Sequence, residues 1–207
     1  MKDVLRDDST GHDWWHIARV RKMALAIGRA EGEDVDLYVV ELAALLHDIS
    51  DYKFNGGDLE KGTRVAFEWL SMIGESEGTA RRVAEIVDTT SFKGAGVSSV
   101  MSTVEGKAVQ DADYLDAMGA IGIGRAFAYG GYKGQPMYDP DIASVEHRSR
   151  DEYIRRNGTT INHFYEKLLL LKDRMNTEAG RMLANKRHAI LEEFLDQFMV
   201  EWDARDL

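Results

Sequence analysis

The chain has 207 residues, 44% of them hydrophobic and 30% charged, with a formal net charge of −10 at pH 7. Those proportions exclude a disordered tail, and 2 prolines without a Gly-x-y period exclude a collagen-like or proline-rich rod. The absence of cysteine excludes a disulfide framework, a thiol nucleophile, an iron–sulfur cluster and a cysteine-type zinc site.

The acidic balance opposes binding of duplex nucleic acid over a broad face. It leaves room for a small anion in a cleft where a metal ion and a few lysines reverse the local field. The opening residues MKDVLRDDSTGHDWW show no apolar signal core. The longest uncharged apolar-rich run, Ala117 to Gly124, is too short to span a bilayer. The expectation is a cytoplasmic protein with no membrane partner.

A first helix is predicted from Asp13 to Ala30, where Ile17, Val20, Met23, Ala24 and Ile27 recur at helical spacing and Gly32 is a stop signal. A second runs from Val35 to Asp48 on Val39, Leu42, Leu45, Leu46 and Ile49. Tyr52 to Gly57, with Asn55-Gly56-Gly57, reads as a loop. Thr63 to Ile73 and Thr79 to Thr89 are amphipathic helices, and Ser91 to Thr103 is a polar loop. Glu105 to Tyr129 has a helical pattern that glycines weaken in its second half. Gly130 to Asp141 is a loop holding Pro136 and Pro140. Helices follow from Thr160 to Met175, capped by Thr159 or Thr160, and from Glu178 to Trp202. Alternation of period two is nearly absent, so the prediction is an all-α fold in a single domain spanning residues 1–207.

Six histidines are candidates for chemistry: His12, His16, His47, His147, His163 and His188. His47-Asp48 ends a strongly apolar helix, where two polar side chains about 100° apart can reach one ion. His16 lies near the start of the preceding helix. Asp111, Asp113 and Asp116 put three carboxylates on one otherwise apolar helix, an arrangement that is costly to bury without a cation. Asp116 also fits a solvated helix face.

The pattern His16, His47-Asp48, Asp113 resembles the HD superfamily of metal-dependent phosphohydrolases. Further blocks resemble one subgroup of small stand-alone bacterial HD-domain hydrolases. They are G-H-D-x-x-H-x-x-R-V from Gly11, L-H-D-I-x-D around His47, S-F-K-G from Ser91, V-Q-D-A-D-x-L-D-A from Val109, F-A-Y-G-G-Y-K-G from Phe127 and T-I-N-H-F-Y-E-K from Thr160. The resemblance covers most of the chain. It implies a helical HD-domain bundle with a metal-binding core over about residues 12–130 and C-terminal helices, about 159–203, packed on it. It also implies that His16, His47, Asp48 and Asp113 hold one divalent ion, manganese first among Mn, Fe, Co, Ni, Zn and Mg. Asp111 is then a candidate to orient a ligand histidine. No histidine lies between His47 and His147, which argues for one metal rather than two.

For phosphoryl chemistry the resemblance points to Asp51, three residues after Asp48, as a general acid or base. Lys53 is the leading phosphate contact. Arg19, Lys93 and Lys133 are further candidates, with an ion pair to a site carboxylate as the alternative role of Arg19. Tyr132 is a candidate to stack on a base or close the cleft, while Tyr138, Trp14 and Trp15 read as packing residues. The expected activity is hydrolysis of a small phosphorylated metabolite, foremost a (d)NTP to (d)NMP plus pyrophosphate. A 5′-nucleotidase or other small phosphomonoester phosphatase is the variant within the class. A non-catalytic nucleotide-binding sensor is the alternative outside it. The acidic C-terminal helix can pack within the domain or across a homodimer.

Overall fold

The computed structural model describes residue 11 and residues 13–49, 61–90, 101–145 and 158–207. The loop around Asn55, Asp51, Lys53, most of the loop holding Lys93, His12 and His147 lie outside the described residues. The described residues form eight α-helices and one 3₁₀ helix, without a strand. In chain order these are α1 (Trp14–Glu31), α2 (Leu37–Leu46), α3 (Lys61–Met72), α4 (Glu77–Thr90), α5 (Val104–Asp116), α6 (Gly119–Tyr132), α7 (Thr160–Glu166), the 3₁₀ helix (Leu168–Arg174) and α8 (Glu178–Trp202). The all-α prediction holds. None of these helices is long and apolar enough to cross a membrane.

Short polar side chains start the helices by accepting hydrogen bonds from otherwise orphaned amides. Asp13 caps α1, Asp36 caps α2, Thr103 caps α5 and Thr177 caps α8. Thr159, not Thr160, caps α7.

Helix α5 is the centre of the fold. Ala108, Val109, Ala112 and Leu115 are buried in it, and α1, α2, α4 and α8 all pack on it. Helix α1 supplies Ile17, Val20, Ala24 and Ile27 to the same core, the face its spacing predicts. Each such buried side chain stabilises by roughly 1.5–3 kcal/mol. On the far side, Phe127 of α6, Phe164 of α7 and Phe194 and Phe198 of α8 form a ring cluster that Tyr138 and Trp202 extend. This cluster holds the C-terminal helices on the bundle, and Tyr138 packs as expected.

Three boundaries differ from the sequence reading. The segment from Glu105 to Tyr129 is two helices, broken after Asp116, because Gly119 adopts φ +66°, a left-handed conformation that glycine permits. Helix α6 then runs to Tyr132, so Tyr129 and Tyr132 lie in a helix rather than a loop. The segment after Thr160 turns from α to 3₁₀ at Lys167. Leu168 and Leu171, three apart, are both buried, and that period suits a 3₁₀ turn.

Candidate metal centre

Three helices bring the four residues expected as metal ligands near one another, with His16, His47 and Asp48 the tightest group. His16 lies in the first turn of α1 and is fully buried, His47 is the C-cap of α2 with Asp48 next to it, and Asp113 projects from α5. His16 Nε2 is 3.2 Å from His47 Nε2, 3.3 Å from Asp48 Oδ2 and 3.6 Å from Asp113 Oδ1. His47 Nε2 is 3.6 Å from Asp48 Oδ2 and 3.8 Å from Asp113 Oδ1. Donors about 2.1 Å from one ion stand about 3.0 Å apart at a right angle and about 3.4 Å apart at the tetrahedral angle. His16, His47 and Asp48 bring donor atoms close enough together to share one ion, and Asp113, 3.6 and 3.8 Å from the two imidazoles, stands beside that group.

The far sides of the two rings determine what they present. His47 Nδ1 donates to the Ala44 carbonyl at 2.9 Å, and His16 Nδ1 donates to Asp116 Oδ2 at 2.7 Å. A carbonyl and a carboxylate accept and do not donate, so both Nδ1 atoms carry the hydrogen. In the neutral rings both Nε2 atoms then turn lone pairs toward each other and toward two carboxylates. Such a set repels itself unless a cation lies among its members. Burial and Arg125 oppose charge on His16, yet its hydrogen bonds with Asp116 and Asp48 prevail and raise its pKa. The donor set attracts positive charge. Mixed nitrogen and oxygen donors suit a divalent transition ion and leave positions for water or substrate.

Asp116 is not on a solvated face. It is buried and accepts from His16 Nδ1, from Arg19 Nε at 2.7 Å and Nη2 at 3.0 Å, and from Arg125 Nη1 at 3.1 Å. Burial alone would raise the pKa of this carboxyl, but those partners hold it well below the usual carboxylate range. Asp116 thus fixes the tautomer and orientation of His16. Its place three residues after Asp113, on the same face of α5, was the signal available in the sequence.

Asp111, expected to orient a ligand histidine, has another task. It is fully buried and accepts from the backbone and side chain of Asn176 and from the backbone and hydroxyl of Thr177, at 2.6 to 2.9 Å. These bonds anchor the start of α8. It points away from the histidines because residues 111 and 116, five positions apart, lie roughly 140° apart around a helix.

Of the expected substrate contacts, Arg19 is in the ion pair with Asp116, its alternative role. Tyr132 is exposed at the C-terminal end of α6, and Lys133 lies over the rings of Tyr129 and Tyr132. Arg125, which the sequence reading did not single out, is the α6 residue that reaches the centre, bridging Asp116 and the Gly11 carbonyl. Trp15 does not pack beside His16 but is 64% exposed, since it precedes the buried face of α1. His188 pairs with Glu192 on α8 and is outside the group of His16, His47 and Asp48.

An HD domain model matches residues 14–118, the segment that begins at α1 and ends just past Asp116. The chain belongs to the HD-domain family. It is 38% identical to the Bacillus subtilis protein YpgQ over 198 residues, covering 95% of this chain and 87% of that one. Among solved structures, a Lactobacillus plantarum protein is 38% identical with a TM-score of 0.87, over 98% of this chain and 93% of the other. An HD-superfamily hydrolase from Bacillus thuringiensis is 43% identical with a TM-score of 0.71, over the same shares. YpgQ itself has been solved in complex with ADP, at 35% identity and a TM-score of 0.73 over 97% of this chain and 94% of that one. The HD segment contains His16, His47, Asp48 and Asp113, whereas α7, the 3₁₀ helix and α8 lie beyond it.

Proposed function

We propose that this HD-domain protein is a metal-dependent phosphohydrolase that cleaves nucleoside triphosphates to monophosphates and pyrophosphate. The observation that carries the reading is the convergence of His16 Nε2, His47 Nε2, Asp48 and Asp113 with both Nδ1 atoms anchored from behind. The nucleotide as substrate draws support from the ADP bound by YpgQ.

Lewis-acid polarisation of a phosphoryl oxygen and a lowered pKa for water are the chemistry that a divalent ion supplies in such a donor set. The protein's own part is positional. Asp116 keeps the His16 lone pair aimed at the centre, and the Ala44 carbonyl does the same for His47. Water oxygen bonds to the α-phosphorus, the bond from that phosphorus to the bridging oxygen breaks with its electrons going to pyrophosphate, and the water proton passes to a base. Asp51 is assigned as that acid–base group, and Lys53, Lys93, Lys133 and Tyr132 as phosphate and base contacts. The ion is assigned as manganese.

The test is product identity. Chelator-stripped protein is restored with Mn²⁺ and incubated with (d)NTPs and (d)NMPs, and nucleotide, phosphate and pyrophosphate are resolved. Metal-dependent monophosphate plus pyrophosphate is the expected outcome. Phosphate release from monophosphates alone moves the protein to the nucleotidases. No turnover with any of the six metals removes the nucleotide as substrate and leaves a non-nucleotide phosphate ester or the non-catalytic sensor.

A further inference from the structure

The C-terminal helix α8 lies outside the matched HD segment, yet it grips the ligand-bearing helix α5 at two points on either side of Asp113. Toward one end, Asp111 of α5 receives four hydrogen bonds from Asn176 and Thr177, which open α8. Toward the other, Arg187 of α8 donates through Nη1 to the Leu115 carbonyl in the last turn of α5. That carbonyl also accepts from the Met118 N–H at 3.1 Å, so Arg187 is its second donor, and a cation suits the negative end of the helix dipole.

Both grips depend on a glycine that lets the chains approach. A Cβ on Gly180 would overlap Asp111 Oδ2. A Cβ on Gly119 would crowd Arg187 Cβ and Cγ at 3.2 Å. Arg187 is partly buried, and its guanidinium also feels the charge of Asp116. Removing its side chain would leave the Leu115 carbonyl beside a gap, two residues from Asp113 and one from Asp116.

We propose that Arg187 is a positioning residue for the metal centre and that α8 acts as a splint holding the Asp113 and Asp116 turn of α5 in register with His16 and His47. The proposal rests on the metal-centre reading above and not on the identity of the substrate. On its other flanks helix α5 has apolar contacts with α1 and α2 and polar bonds from His16 and Arg19 of α1 and Arg125 of α6 to Asp116, and from Arg82 of α4 to Glu105. The bonds from α8 add directional restraint on the face of α5 that those contacts leave open.

The experiment is Mn²⁺ titration of the full chain by calorimetry, with melting temperature measured on the same samples. Arg187→Met is compared with Phe198→Leu, which loosens the same helix at its aromatic end without touching α5. Arg187→Met is expected to lose about ten-fold or more in Mn²⁺ affinity, as is usual for groups behind metal ligands. Phe198→Leu, at a similar drop in melting temperature, is expected to bind Mn²⁺ as the wild type does. Arg187→Lys, which keeps a cationic donor, is expected to recover most of the loss. Arg187→Gln replaces the Met variant should that one fail to fold, with a loss in the same direction. Wild-type Mn²⁺ affinity in the Met or Gln variant, or an equal loss in Phe198→Leu, overturns the positioning role and leaves the metal centre standing. No Mn²⁺ binding by the wild type overturns both.

Discussion

Asp116 and His16 stand 100 residues apart in the chain, and the 2.7 Å hydrogen bond between them decides which imidazole nitrogen faces the metal centre. The same carboxylate pairs with both Arg19 and Arg125, so one side chain links α1, α5 and α6 behind His16. Asp116→Ala is expected to lower Mn²⁺ affinity by about 10- to 100-fold. Stability is expected to fall by about 3 kcal/mol, because Arg125 stays largely buried without its partner. Calorimetric titration and urea denaturation read the two effects separately.

Metal binding by the native state alone stabilises it by mass action. At a free Mn²⁺ concentration 100 times the dissociation constant the gain is about 2.7 kcal/mol, or a rise in melting temperature of roughly 5–10 °C for a chain of this size. Asp48→Asn removes one of the two carboxylates facing both histidines. That variant is expected to lose the Mn²⁺-induced rise and the hydrolytic activity while keeping its far-ultraviolet circular dichroism. A rise of wild-type size in the variant removes Asp48 from the ligand set.

Proton and metal compete for His16. Its pKa lies above the ordinary value of 6.5: burial and Arg125 lower it, but Asp116 and Asp48 raise it by more. In metal-stripped protein the stability from that proton is fully present below pH 6.5 and is lost as the pH rises through the raised folded value. Mn²⁺ requires the deprotonated ring, so its apparent affinity is expected to fall by about ten-fold per pH unit below that value. The melting-temperature gap between loaded and stripped protein should therefore narrow on acidification. A gap constant from pH 8 to pH 6 contradicts this linkage.

Asp111→Ala leaves the amides of Asn176 and Thr177 without their acceptor in a buried place. Each unsatisfied donor costs about 1–3 kcal/mol, so the expected loss is about 3 kcal/mol or more. Urea denaturation monitored by circular dichroism measures it. A loss below about 1 kcal/mol would mean that water or a neighbouring group satisfies the start of α8 instead.

The helices were legible in the sequence because each buries a stripe, and burial of a stripe imposes helical spacing on the apolar residues. Ile17, Val20, Ala24 and Ile27 show it in α1. The ligands were legible for a different reason. His16, His47-Asp48 and Asp113 are the pattern that carries the HD resemblance, and the fold brings His16, His47 and Asp48 within reach of one ion with Asp113 beside them. The break at Gly119 was not legible, since a glycine continues a helix or ends it according to what packs beside it, and here Arg187 does.

Helical spacing by itself determined an all-α chain, and the order of the motifs carried the resemblance to the HD family. Only the tertiary structure decided between Asp111 and Asp116. Both are aspartates on one helix, identical in chemistry and five residues apart; the spacing from Asp113 sets Asp116 on its face, but spacing does not say which carboxylate meets His16. Rotation of α5 in the bundle turns one toward His16 and two arginines and the other toward the first turn of α8. That rotation is set by long-range packing and by hydrogen bonds that, apart from the one from Arg125, come from residues more than 60 positions away, which a local pattern does not record.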